Sequence, residues 1–71
     1  MNWDRIEGNW KQLTGKVRET WGRLTDDELE KIARRDKLAG SLQNSYGIAK
    51  DEAEKQISDF QAKCERNQWV Q

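Results

Sequence analysis

Two pairs of neighbouring acidic residues are the side chains of this chain that come closest to acid–base machinery. Asp26 precedes Asp27, and Asp51 precedes Glu52. Paired carboxylates can act as general acid and general base when a sheltered site tunes their pKa values. A chain this short predicts no such pocket, and both pairs open predicted helices, where the positive end of the helix dipole favours negative charge. We therefore expect both pairs to start helices and expect no catalytic residue.

Nucleophilic, redox and metal chemistry would have to rest on a single cysteine. The chain contains Cys64 and no histidine, so it can build neither a histidine-based triad nor a zinc site with histidine ligands. Cys64 follows Ile57 by seven residues on the apolar face of a predicted helix, where a cysteine packs as a small hydrophobe. The glycines do not match a phosphate-binding loop. The sequence predicts a protein that is not an enzyme, with no metal site and no cofactor.

Tryptophans with basic neighbours form a third chemical pattern. Aromatic faces beside cations can bind single-stranded nucleic acid. However, Trp3, Trp10 and Trp21 follow the apolar stripe of a predicted helix, and the 13 basic and 13 acidic residues of the chain cancel. We therefore expect these tryptophans in the core, and nucleic acid as a partner stays open but is not favoured. The basic neighbours are Lys11, Lys16, Arg18 and Arg23.

Length and composition predict a thin core. The 71 residues, of which 34% are hydrophobic and 37% charged, predict a single domain over 1–71 that buries about 60% of its unfolded surface. Dimerisation could complete such a core, so a monomer and a weak dimer both stay open. There is no apolar run of transmembrane length and no secretory signal, and one cysteine cannot form an internal disulfide. We expect a cytoplasmic protein without a transmembrane segment.

The elements that would position these residues are helices. Apolar residues recur at spacings of three and four, and proline is absent. Thr25 and Glu28 form a capping box, while Gly22 and Gly47 are placed for left-handed conformations at helix ends. Whether residues 26–46 form one helix or two stays open. The sequence predicts a small all-α bundle of about four helices, roughly over 3–21, 26–34, 37–46 and 50–67.

An internal repeat relates the two halves of the chain. Residues 15–22 match residues 40–47, which pairs Gly15 with Gly40. The repeat predicts two related helical hairpins that bury their apolar faces against each other. Glycine is unfavourable inside a helix, so we expect Gly15 and Gly40 to mark close helix approach or fraying. A partner surface or a hinge is the alternative.

A long run in the first half and several short runs in the second form one recognisable pattern. The runs are Gly8-Asn-Trp-Lys-Gln-Leu-Thr-Gly-Lys-Val-Arg-Glu-Thr-Trp-Gly-Arg-Leu-Thr-Asp-Asp-Glu28, Arg35-Asp-Lys-Leu-Ala-Gly40, Gln43, Tyr46-Gly47 and Lys50-Asp-Glu-Ala-Glu-Lys55. Together they closely resemble the CsbD-like family of small bacterial stress-response proteins over nearly the whole chain. Members of that family often have Ser or Thr before the last helix, where this chain has Ala49.

The resemblance implies a compact helical domain of two packed hairpins in a bacterial cytoplasm, produced in response to general stress. It implies no activity and no catalytic residue. Our hypothesis is a non-enzymatic stress-response protein that acts by abundance and hydrophilicity, or by binding an unknown protein partner through the exposed face of the first helix. The alternative is a nucleic-acid-binding module that uses the mildly basic first helix. Adhesion to a membrane surface through that helix is a third and weaker hypothesis.

Overall fold

Apolar residues at spacings of three and four form five α-helices in the computed structural model, which describes residues 3–69. The helices are α1 (Trp3–Gly8), α2 (Trp10–Thr20), α3 (Asp26–Lys31), α4 (Arg35–Tyr46) and α5 (Lys50–Arg66). Between residues 3 and 69 the chain forms no strand. The predicted class, a small all-α bundle, is confirmed.

The helix predicted over 3–21 is divided in two at Asn9. Asn9 lies between Gly8 and the start of α2 with φ −109° and ψ 20°, and its side-chain amide donates to the Arg5 carbonyl oxygen at 2.8 Å. Glycine and asparagine are poor helix formers, and asparagine readily bonds to nearby backbone instead. The Leu13 N–H still donates to the Asn9 carbonyl oxygen at 3.1 Å. The apolar stripe therefore continues across the break, and the single predicted helix is corrected to two.

Residues 26–46 form two helices, which answers the question left open by the sequence. The Thr25 hydroxyl accepts a hydrogen bond from the Glu28 N–H at 3.2 Å, so the predicted capping box begins α3. α3 ends at Lys31, short of the predicted end at 34, because Ile32 leaves the helical conformation and is buried. The following helix begins earlier than predicted, at 35 instead of 37, and the last helix ends at 66 instead of 67.

The two predicted glycine caps differ. Gly47 follows α4 with φ 64° and ψ 33°, which is the left-handed conformation expected of it. Gly22 does not adopt that conformation. α2 already ends at Thr20, and Trp21 leaves the helix with φ −127° and ψ 82°. Because the Trp21 ring is buried in the core, the chain turns one residue before the glycine, and the predicted left-handed cap at Gly22 is wrong.

α5 packs beside α4 after the turn at Gly47, and two side-chain contacts join α2 to α3. Near the end of α2, the Arg18 guanidinium lies 2.8 Å from the Asp26 carboxylate at the start of α3. At the beginning of α2, the Trp10 indole N–H donates to the Leu29 carbonyl oxygen at 2.5 Å. Since late residues of α2 meet early residues of α3, the two helices are antiparallel.

One core joins the two hairpins. The Trp21 indole N–H donates to Gln56 Oε1 at 2.9 Å, and the centres of the Trp21 and Phe60 rings are 5.3 Å apart. The Arg23 backbone N–H donates to the Tyr46 hydroxyl at 3.2 Å. The buried apolar residues are Ile6, Trp10, Leu13, Val17, Trp21, Leu24, Leu29, Ile32, Leu38, Ala39, Leu42, Ala53, Ile57, Phe60 and Cys64. Trp3, which the spacing of apolar residues assigned to the core, is instead partly buried and packs against this cluster, as do Ala33 and Tyr46.

Gly15 and Gly40 do not mark close helix approach. A Cβ atom added at either position would meet no atom within 4 Å, and both glycines are exposed. Fraying does not explain them either, because Gly15 lies inside α2 and Gly40 inside α4. The predicted close approach is therefore wrong, and both positions face open space.

Candidate functional site

The acidic pairs lie where the sequence predicted them, at the starts of helices. Asp26 and Asp27 are in the first turn of α3, and Asp51 and Glu52 are in the first turn of α5. All four side chains are exposed, so the two carboxylates of each pair have similar, solvated surroundings. Their placement satisfies the positive ends of two helices.

Cys64 is fully buried on the inner face of α5. Burial raises the pKa of its thiol above the ordinary value of 9.0, because the thiolate would lose its solvation, and a hydrogen bond from its own backbone opposes this only in part. A nucleophilic cysteine needs the opposite shift. Over the described residues 3–69, no group of three or more cysteine and acidic side chains is placed to hold a metal ion.

The tryptophans divide between the core and its edge. Trp10 and Trp21 are 7% and 2% exposed, which confirms their predicted place in the core. Trp3 is half-buried, and its indole N–H donates to the Ala33 carbonyl oxygen at 2.8 Å. The Trp3 ring also contacts the Trp10 ring, at 6.3 Å between centres. Trp3 therefore has a fixed orientation and a partly exposed ring.

Three of the four basic residues considered for nucleic-acid binding are engaged within the chain. The Lys16 ammonium lies 4.9 Å from the centre of the Trp69 ring, and the Arg23 guanidinium lies 5.5 Å from the centre of the Tyr46 ring. Arg18 pairs with the first residue of α3. The positive charge of the first two helices is thus partly committed to internal contacts.

A groove of about 670 Å³ lies between α1 and α4. Trp3, Asp4 and Glu7 line it from α1, while Arg34 and Gly40 line it from the other side. The first turns of α5 also border it. Its volume is within the range of about 300–1,000 Å³ that small-molecule sites occupy.

The charged side chains of this groove are not paired with one another. In the described part of the chain, the side chains of Asp4, Glu7 and Arg34 make no hydrogen bond or ion pair. The neighbouring Arg35 differs, since its guanidinium donates to Ser58 Oγ at 3.0 Å and is held towards α5. The groove therefore presents both signs of charge, unneutralised, beside the Trp3 ring.

Sequence reasoning missed this groove. Spacing assigned Trp3 to the core, and the two walls come from segments about thirty residues apart, as the Trp3 to Ala33 hydrogen bond shows. A groove of this kind has no motif in the chain. One signal was present in the sequence, a glycine at position 40 inside a predicted helix, and the structure shows that packing does not require it.

Fold and surface define a small helical-bundle protein, with charged side chains outside and a tryptophan-rich core inside. The sequence profile described as CsbD-like matches residues 4–55. The chain belongs to the CsbD-like family, as the resemblance implied.

Three bacterial relatives show the extent of the similarity. UPF0337 protein YjbJ of Escherichia coli strain K12 is 50% identical over 66 residues, which cover 92% of this chain and 96% of that protein. A UPF0337 protein of Nitrosomonas europaea is 50% identical over 66 residues, covering 92% and 70%. A UPF0337 protein of Protochlamydia amoebophila is 50% identical over 64 residues, covering 89% and 97%. None of these names describes an enzymatic activity.

A helix that crosses a bilayer must be both long and apolar. Within residues 3–69 none of them combines sufficient length with sufficient apolar character.

Proposed function

We propose that this chain is a non-enzymatic bacterial stress-response protein that acts in the cytoplasm through its exposed helical surface. The observation that carries the proposal is the CsbD-like match over residues 4–55. The surroundings of the reactive side chains support it. The cysteine is buried with a raised pKa, and the acidic pairs are solvated at helix starts.

The partner-binding surface that we propose is the outer face of α2. Lys11, Gly15 and Arg18 follow one another at spacings of four and three, so they share one side of the helix, and all three are exposed. Gly15 has open space in front of it and no packing role. A partner helix could approach α2 closely at that position, which would explain a residue that is unfavourable for the helix itself.

Deletion and complementation test this proposal. We expect a deletion strain to survive osmotic, starvation and desiccation stress less well than its parent. The wild-type gene and a Lys55→Glu variant on the exposed side of α5 should restore survival, whereas Gly15→Leu should not. Unchanged survival of the deletion strain would remove the stress-response role. Full rescue by Gly15→Leu would remove the α2 surface and leave action by abundance.

Nucleic-acid binding by the first helices remains the alternative function, with less support. The basic side chains that such binding would use already contact Trp69, Tyr46 and α3 in part. Titration with labelled single- and double-stranded DNA at low salt tests it, because phosphate contacts make binding salt-dependent. Light scattering across concentrations distinguishes the monomer from the weak dimer, and both remain compatible with either function.

A further inference from the structure

The groove between α1 and α4 contains an aromatic ring that is held in place. The Trp3 indole N–H is bonded to the Ala33 carbonyl oxygen at 2.8 Å, and the ring leans on Trp10 at 50° between the ring planes. Two independent contacts thus fix the ring, while part of it stays accessible at the groove. An ordered aromatic face of this kind attracts organic cations.

Charges of both signs line the groove around this ring. The wall formed by α4 and α5 carries basic residues and carboxylates together, namely Arg34, Arg35, Lys50, Asp36 and Glu54. Asp4 and Glu7 follow Trp3 in α1, and Arg34 precedes α4 across the groove. None of these three side chains has a charged partner within residues 3–69. A ligand that carried one positive and one negative group could be complementary to both walls at once.

Gly40 lines the groove without a side chain. A side chain at this position would meet nothing within 4 Å, so packing does not require a glycine there. Yet glycine makes α4 less stable than alanine would. The missing side chain has one evident result, which is free space in the groove that Gly40 lines.

We propose that this groove binds a small organic zwitterion. The ammonium group would lie against the Trp3 ring, near Asp4 and Glu7, and the carboxylate would be bound by the Arg34 guanidinium, which can donate two parallel hydrogen bonds to it. A macromolecular occupant fits this groove less well, because its volume of about 670 Å³ is that of a small-molecule site. The proposal is independent of the α2 surface.

Nuclear magnetic resonance of the full chain tests the proposal directly. The Trp3 indole N–H signal, assigned with a Trp3→Phe variant, should shift and saturate on titration with glycine betaine. An open groove buries little of so small a ligand, so we expect a dissociation constant of about 1–10 mM. Choline, which lacks the carboxylate, and acetate, which lacks the ammonium, should each bind more weakly. Titration with glycine shows which side chains bind the ammonium group. Glycine should bind better than glycine betaine if the Asp4 and Glu7 carboxylates contribute most, and worse if the Trp3 ring does.

Two matched variants connect the signal to the groove. Gly40→Leu should fill the free space and reduce affinity at least tenfold, while Ala62→Leu, at an exposed position of α5 outside the groove, should bind like the wild type. Arg34→Gln should weaken glycine betaine but leave choline unchanged. Circular dichroism should show that all three variants fold.

Three results would overturn the proposal. The first is the absence of a saturable shift with either zwitterion. The second is equal affinity of the Gly40→Leu and Ala62→Leu variants for glycine betaine. The third is tighter binding of a lysine-rich peptide than of either zwitterion at the same Trp3 signal, which would assign the groove to a basic protein segment.

Discussion

A buried tryptophan brings a hydrogen-bond donor into the core together with its ring. The indole N–H of Trp10 donates to Leu29, and that of Trp21 donates to Gln56. A buried donor without an acceptor would cost about 1–3 kcal/mol. For residues 3–69, no buried side-chain nitrogen or oxygen lacks a hydrogen-bond partner. The tryptophans therefore fill the core and also fix how the helices meet.

Replacing Trp10 by phenylalanine tests this double role. The variant loses part of the buried ring and leaves the Leu29 carbonyl oxygen without its donor, so we expect the free energy of unfolding to fall by about 2–3 kcal/mol. Urea denaturation measures the change. Trp69→Phe is the control, because Trp69 is half-buried and touches the core at the Phe60 ring. A loss as large for Trp69→Phe as for Trp10→Phe would show that the hydrogen bond contributes little.

The buried thiol of Cys64 predicts a dependence of stability on pH. Because burial raises the pKa of the folded thiol above 9.0, the folded state holds the proton more tightly than the unfolded state. Its contribution to stability is fully present below pH 9.0 and is lost as the pH rises through the folded pKa. The difference in free energy of unfolding between wild type and Cys64→Ala should therefore shrink in alkaline solution. A difference in free energy of unfolding that stays constant in alkaline solution would contradict a raised pKa of the buried thiol.

At the residue scale the sequence was informative about burial and silent about orientation. Spacing placed Trp10, Trp21 and Cys64 in the core, and all three are there. Trp3 satisfies the same spacing but lies at the edge, because the hydrogen bond that orients it goes to Ala33, a residue far away in sequence. Hydrophobic periodicity reports which side of a helix faces inward and carries no information on such long-range contacts.

Short helices depend on their neighbours. α1 and α3 have six residues each, which is below the roughly 12–15 residues that an isolated helix needs to be even marginally stable in water. α3 begins with the Thr25 cap. Trp10 of α2 donates to Leu29 within α3, and Trp3 of α1 donates to Ala33, two residues beyond the end of α3. Its existence is thus a consequence of packing.

The glycines of the helices should respond to alanine in opposite directions. Gly15→Ala and Gly40→Ala should each raise the free energy of unfolding by about 0.5–1 kcal/mol, because nothing obstructs the new methyl group. Gly47→Ala should lower it by about 1–2 kcal/mol, because alanine resists the positive φ of 64°. Thermal denaturation measures all three. Destabilisation by alanine at Gly15 or Gly40 would reveal a packing contact after all.

At the element scale, strong local signals were reliable and weak ones were not. The Thr25 capping box predicted the start of α3, and the helix starts there. The break at Asn9 was missed because the apolar stripe runs through it unchanged. Gly22 was assigned a left-handed cap from its residue type, yet burial of Trp21 ended α2 before it. The conformational preference of one residue is overridden where burial of a neighbouring side chain stabilises the fold by more.

All five helices contribute to the same buried cluster. Three rings in contact extend from this cluster to its edge, from Trp21 through Phe60 to the partly buried Trp69, with ring centres 5.3 and 6.2 Å apart. It thereby joins the end of α2 to the length of α5. Removal of one helix would expose apolar surface of the others, so no hairpin should be stable by itself.

We therefore expect a single cooperative unfolding transition. Far-ultraviolet circular dichroism, which follows the helices, and tryptophan fluorescence, which follows the core, should give the same midpoint in urea. This experiment also tests the single domain predicted over 1–71. A fluorescence change that precedes the loss of helix would indicate two separately stable parts.

Trp3 and Trp10 donate their indole N–H groups to the backbone carbonyl oxygens of Ala33 and Leu29. Every residue has a backbone carbonyl oxygen, so no substitution at Leu29 or Ala33, other than through its effect on packing, can delete the acceptor. The donors have no such protection, because tryptophan is the one residue that offers an indole N–H. Tolerance to substitution should therefore differ between the two sides of this contact. Exposed residues of α3 should accept many substitutions, whereas the two tryptophans should accept few.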